Sequence, residues 1–249
     1  MNINSYTSGF SVAEENGNEI FTLVYHLLQS KLEHVQYTTD KAIKFYHTMV
    51  MATEKNKAAT SKTTRTVNRM YSLRARIQHK AEKLDGREKR YAGKVVSLLD
   101  DIIRETEDMS CNILHYTGVM RGATDNLLMT ILKAVHYQWR ERVYLSVMDR
   151  TIPFPAEDEG HCLLGWWYEH EGRKKFGHIP VFLRLGEEHR RLHRAEAELA
   201  AGVQQGTGTK SLLSLLNAFE MASRSVIGTL DELDEYLIRL NAVSADREA

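Results

Sequence analysis

His189 and His193, four residues apart, have the spacing that points most directly to chemistry. In His189-Arg190-Arg191-Leu192-His193 a helical repeat puts both imidazoles on one face, where they can share an ion. The same pair can equally be two exposed ring donors, because this spacing recurs by chance. Two further segments with candidate ligands lie upstream. Cys162-Leu163-Leu164-Gly165-Trp166-Trp167-Tyr168 begins 27 residues before His189, and His136-Tyr137-Gln138-Trp139 begins 26 residues before Cys162. With 11 histidines in the chain, a histidine's presence alone singles out nothing.

The order His, Cys, His-x3-His at these spacings resembles the chemoreceptor zinc-binding (CZB) family over about residues 125–240. The matching marks are His136 followed by Trp139, the C-x-x-G-x-W run of Cys162, Gly165 and Trp167, and the closing His189 and His193. The order is also similar to the sensory domain of bacterial zinc-controlled diguanylate cyclases. The resemblance implies an antiparallel four-helix zinc domain with His136, Cys162, His189 and His193 as ligands of Zn2+. Three imidazoles and one thiolate fill a tetrahedral zinc shell and leave no position for water, which suits a structural or regulatory ion better than a hydrolytic one. Binding needs a deprotonated thiol and neutral imidazoles, so acid should weaken it. Cys162 is the one easily oxidised ligand, so zinc, oxidants and pH all remain open as stimuli. His161 is not used by the family pattern. His170 and His178 are expected to face solvent, Trp139, Trp166 and Trp167 to pack as core, and Cys111 to be an inert buried thiol. Glu188 and Glu196 are near the ligands in sequence, but such Glu mostly form a solvated face, and neither is taken as a site residue.

These residues need helices to position them. The three prolines are Pro153, Pro155 and Pro180, so nothing interrupts a helix before residue 153 or after residue 180. Apolar positions at alternating three- and four-residue steps run from Phe21 to Met49, again from Val67 to Ile102, and most cleanly from Leu212 through Phe219, Ser223, Val226, Leu230, Leu233 and Leu237 to Leu240. The second series keeps phase across Gly86, with Arg74 and Glu88 as flaws, which leaves one helix or two open. The spacing predicts a turn in the Thr/Ser/Lys stretch 57–66, a break at Gly118 and Gly122, and Thr124 as an N-cap. Ile152-Pro153-Phe154-Pro155 reads as a rigid extended stop. Helix should return near 162–171 and from Pro180 to about 201, followed by a loop at 202–208. Fraying is expected at 1–15 and 243–249. The fold class is therefore all-α, an antiparallel helical bundle at 124–249 preceded by a long helical hairpin or coiled coil at 1–123. The last seam can pack within the chain or against a second subunit in a homodimer.

Lys and Arg number 33, as do Asp and Glu. The zero net charge excludes a wholly basic nucleic-acid binder and an acidic disordered chain. It hides a split, because residues 1–123 carry 18 basic against 14 acidic residues and 124–249 carry 15 against 19. Between Lys55 and Ala81 there are eight basic residues and no acidic one. That stretch is either a solvated helix face or a docking surface for an acidic protein partner. Nucleic acid is disfavoured because Tyr71 is its only aromatic residue. No apolar run is long enough for a membrane span, and the first five residues lack a signal-peptide layout. With only two cysteines, cytoplasmic localisation is expected. Cyclase, kinase, nucleotide-loop and Ser-His-Asp patterns are absent. The expected function is a zinc-binding sensor without its own catalysis, signalling through helix rearrangement to a partner in bacterial chemotaxis or cyclic-di-GMP signalling. The alternative is a structural adaptor stapled by zinc.

Overall fold

The computed structural model describes residues 5–149, 153–154 and 158–248, with side chains described over 22–149, 153–154 and 158–240. It is all-α. Helices α1 (Ser5–Ala81) and α2 (Gly86–Met148) are followed by short α3 (Leu163–Trp167), a π-helical turn (Tyr168–Gly172) and short α4 (Arg173–Phe176). Two longer helices, α5 (Pro180–Gln204) and α6 (Thr209–Glu248), complete the chain. Helix runs through 5–15 and 243–248, where fraying is expected from sequence; Ile152 and Pro155 of the proline stop lie outside the described residues.

Two expected interruptions do not occur. Helix α1 continues through 57–66 because its threonines support the helix instead of leaving it. The hydroxyls of Thr60, Thr63, Thr64 and Thr66 each donate to the carbonyl four residues earlier, at 3.0–3.2 Å. Helix α2 likewise runs through Gly118 and Gly122. Thr124 is no N-cap, since its hydroxyl donates to the Met120 carbonyl at 2.7 Å inside the helix. The chain turns instead at Glu82–Asp85, closed by Gly86 at φ +57, a left-handed value that glycine adopts without steric cost. The uninterrupted phase across Gly86 is therefore shared by two helices.

The chain divides into two compact units, Met1–Ile43 with Leu128–Glu235, and Lys44–Leu127 with Tyr236–Ala249. In the second unit Arg74 pairs with Asp100, and the Tyr71 hydroxyl donates to Glu107. The charged flaw in the seam is thus neutralised across the hairpin. Cys111 is exposed, not buried, because it falls on the outer face of α2.

The first unit holds the principal core. The first part of α1 runs antiparallel to the end of α2, with bonds pairing Tyr25 with Asp149, Gln36 with Arg142 and Thr39 with Gln138. The end of α2 in turn packs antiparallel to α6, and α6 antiparallel to α5. Phe182, Leu185 and Leu192 of α5 meet Phe219, Ser223, Val226, Leu230 and Leu233 of α6 in a core from which water is excluded. The α6 seam from Phe219 to Leu233 is therefore buried within the chain, whereas Leu240 at its end is exposed. Lys133 crosses from α2 to both Asp231 and Asp234, each at 2.9 Å. Lys133→Met leaves two carboxylates facing each other without a cation. A loss of roughly 1–3 kcal/mol in urea unfolding is expected.

Candidate metal centre

Three of the four expected ligands come together in the first unit. Cys162 Sγ lies 3.1 Å from His189 Nε2, and His189 Nε2 lies 3.2 Å from His193 Nε2. All three donor atoms fall within 4.8 Å of one another. The helical repeat of α5 aligns the two histidines, with their rings perpendicular at 4.7 Å. Pro180 starts that helix, since its fixed φ suits the first turn and its missing N–H costs nothing there.

Cys162 is placed by a turn. Asp158 Oδ1 accepts from the backbone N–H groups of Gly160 and His161, and the Asp158 carbonyl accepts from Cys162 N–H. Cys162 then starts α3, and its sulfur accepts the Gly165 N–H at 3.3 Å. Gly165 is what lets this turn approach α5. A Cβ there would stand 1.6 Å from the Glu159 carbonyl oxygen and 3.2 Å from His189 Cε1. Gly186 gives the next turn of α5 the same freedom, because a Cβ would fall 2.3 Å from the Tyr168 hydroxyl oxygen. Tyr168 stacks on Phe182 at 4.4 Å beside it.

His136 is placed differently. It is buried and lines the same small cavity, of about 30 Å³, as Trp139, Cys162, His189 and His193. Its Nε2 is 2.9 Å from the Ser223 hydroxyl, and it is not part of the close cluster of three. Ser223 is fully buried on the α6 seam. In the sequence it stands simply as one member of that seam; a hydroxyl amid leucines was the signal that it serves a polar group. Trp139 joins the imidazoles, with its ring 5.9 Å from His136 and 5.4 Å from His193. Trp167 is buried against Phe176 and Phe182, whereas Trp166 is half exposed and stacks on His170. His161 is exposed and bonded through Nδ1 to Asp158, and both His170 and His178 face solvent.

The donor set fits zinc. Tetrahedral zinc holds nitrogen at about 2.1 Å and sulfur at about 2.3 Å, so its ligand atoms stand roughly 3.4–3.6 Å apart. The two observed separations need only a slight opening to meet this. Burial also favours the ligand form of the imidazoles. It pulls His136 down to about 4, aided by the charges of Arg140 and His193, and His189 down to about 3, aided by His193 and His136. Both are therefore neutral near pH 7, with ring nitrogens able to donate a lone pair to a metal.

Glu196, one turn beyond His193, is buried, not part of a solvated face. Burial pushes its carboxyl up to about 7. The folded protein therefore holds a proton that the unfolded chain releases near pH 4.5. Stability should fall as pH rises from that range through about 7, and the penalty persists above it. Glu196→Gln in metal-free protein is expected to raise stability at pH 8 by about 1 kcal/mol and to change little at pH 4. Thermal unfolding at the two pH values checks this.

Neither a curated protein nor a solved structure matches the chain. Residues 136–200, which span all four sequence-predicted ligands, match the family model of the chemoreceptor zinc-binding domain, and this segment is accordingly a zinc-binding domain of that family.

Proposed function

We propose that this chain is a zinc-binding sensory or regulatory protein in which His136, Cys162, His189 and His193 hold the ion together. The observation that carries this reading is the convergence of Cys162, His189 and His193 from two chain segments onto one small buried cavity that His136 also lines. His136 would leave Ser223 to complete the set, so its bond to Ser223 is the contact that differs between the loaded and metal-free protein. When bound, zinc supplies a charge that cross-links α2, the Cys162 turn and α5. The four side chains leave no open coordination position, which supports signalling without catalysis. Cys162 is the ligand an oxidant would remove. Peroxide converts its thiolate to a sulfenate, with one oxygen transferred and water leaving.

The signal would leave through the helical N-terminal region, 1–123, with 124–249 as the sensory part. Seven of the eight basic residues at 55–81 are exposed, and among the described residues only Arg74 has a carboxylate partner. That supports docking of an acidic protein partner over a merely internally paired surface. Among the described residues no helix is long and apolar enough to cross a membrane. Cytoplasmic location and a homodimer belong to the same reading.

The decisive experiment is titration of the purified chain with chelators of graded strength and with peroxide. One zinc per chain, released by peroxide before unfolding and together with a change in helix packing or oligomeric state, is expected. Zinc retained until global unfolding would favour the permanent staple.

A further inference from the structure

The hairpin of the second unit has two unlike sides. The Tyr71 hydroxyl donates to Glu107, and Arg74 pairs with Asp100, so these residues mark one lateral side, which is polar. A residue two positions further along a helix points about 200° away, which sends Leu73 and Met109 to the opposite side. There α2 presents Val95, Ile102, Met109 and Tyr116, each seven residues from the next, with Leu98 beside them. Together with Leu73 these side chains are between 41% and 68% exposed, although their spacing is that of a buried seam. The seam by which α2 meets α1 is a separate one, on which Ile103 and Thr117 are buried.

On this apolar side α1 is low where α2 is high. Thr66 and Ala59 stand one and two heptads before Leu73, and both are exposed. The bonds of Tyr71 and Arg74 fix the register of the hairpin. They bring Leu73 level with Ile102, Thr66 with Met109 and Ala59 with Tyr116. Such a surface complements itself. A two-fold rotation about the long axis of the hairpin sets α1 of one copy opposite α2 of the other at the same height. The partner's Met109 then packs over Thr66 and the partner's Tyr116 over Ala59, so each layer holds two large and two smaller side chains. Charge agrees with this arrangement. Arg69 and Glu105 lie level on the edge of the same side, both exposed, and among the described residues neither is in an ion pair. The rotation brings Arg69 to the partner's Glu105 and keeps the two α1 helices, with their basic rows, on opposite corners.

The area suffices as well. At about 200 Å² for each large side chain, the six exposed apolar residues offer roughly 600 Å² per copy. The positions between them and the hydrocarbon stems of the edge cations add toward the roughly 800 Å² that each side of a stable pair buries.

We propose that this side of the hairpin is the interface with a second copy of the chain, closing a four-helix bundle of two hairpins around Ile102, Met109 and Tyr116. The inference rests on the homodimer of the proposed function and names its face; it does not depend on the ion.

Sedimentation of the full-length chain tests it. The wild type should be a dimer with a dissociation constant of about 10 μM or tighter. Ile102→Glu and, separately, Met109→Glu each place two carboxylates in an apolar layer and should weaken the dimer at least about a hundredfold. Leu114→Glu is the control, because Leu114 lies one heptad beyond Glu107 on the polar side and is 52% exposed. It should associate as the wild type does. Zinc content, measured on the same samples, should be equal in all of them, which separates a failure of this interface from a failure of the metal assignment. A wild type still monomeric at about 100 μM, or a dimer that withstands both face substitutions, would overturn the proposal. So would equal dissociation by Leu114→Glu, or a loss of helix content in the two face variants, since the side would then pack within the chain.

Discussion

Replacing His189 with alanine is expected to lower zinc affinity by at least about a hundredfold. His189 is the central donor of the cluster, 3.1 Å from Cys162 Sγ and 3.2 Å from His193 Nε2, and it is 5% exposed. Its loss removes one bond and also opens the buried site to water, so the remaining donors cannot compensate by closing together. His136→Ala separates the two halves of the ligand assignment. A comparable loss places His136 in the shell, whereas a loss below about tenfold would reduce it to a support acting through Ser223 and Trp139. The control is His161→Ala, which removes an exposed imidazole already committed to Asp158. Its affinity should match wild type. Competition with a chromophoric chelator measures all three, and an equal loss in His161→Ala and His189→Ala would sink the assignment.

Gly165→Ala is expected to cost roughly 3 kcal/mol or more of stability and to weaken zinc binding together with it. One methyl group at this position would occupy the place of the Glu159 carbonyl oxygen, at 1.6 Å, and would press on His189 Cε1 at 3.2 Å. The obstacle is backbone, so no rotamer change relieves it. The turn from Asp158 to Cys162 must move, and that turn sets the direction of the sulfur. Gly93→Ala is the matching control, because nothing lies within 4 Å of a Cβ there and the residue is inside α2. Alanine in an open helical position should stabilise by about 0.4–1 kcal/mol. Chemical unfolding and zinc titration of the two variants, run in parallel, compare the two signs. A Gly165→Ala protein as stable as wild type would show that the turn packs elsewhere.

The His189–His193 pair of the candidate metal centre was legible because it uses short-range periodicity. His189 and His193 are aligned by the helical repeat, and Cys162 is fixed by a local turn whose glycine the sequence displays. The 1–123 seam was legible for the same reason. The turn between its helices was misplaced because threonine has two behaviours. Its hydroxyl can leave the helix to cap a turn or bond back to the carbonyl four residues earlier, and only packing selects between them. At 57–66 packing against the facing helix holds the second arrangement, with Thr60 buried on the inner side. The two glycines at 118 and 122 were overweighted for a related reason. Glycine lowers helix propensity by about 1 kcal/mol, which a 63-residue helix absorbs.

The sequence by itself determined the helical class, the placing of His189 and His193 on one helix face and the resemblance to a chemoreceptor zinc-binding domain. The first two follow from periodicities that a single helix imposes, the third from the order of His136, Cys162, His189 and His193 along the chain. Only the tertiary structure decided that the α6 seam from Phe219 to Leu233 is closed within the chain, that His136 rests on Ser223, that Glu196 is buried and that Gln138 bonds to Thr39. Each of these depends on which helix lies opposite, 87 and 99 residues away in the chain in the case of His136 and Gln138. A periodic pattern marks which face of a helix is buried but not what that face meets.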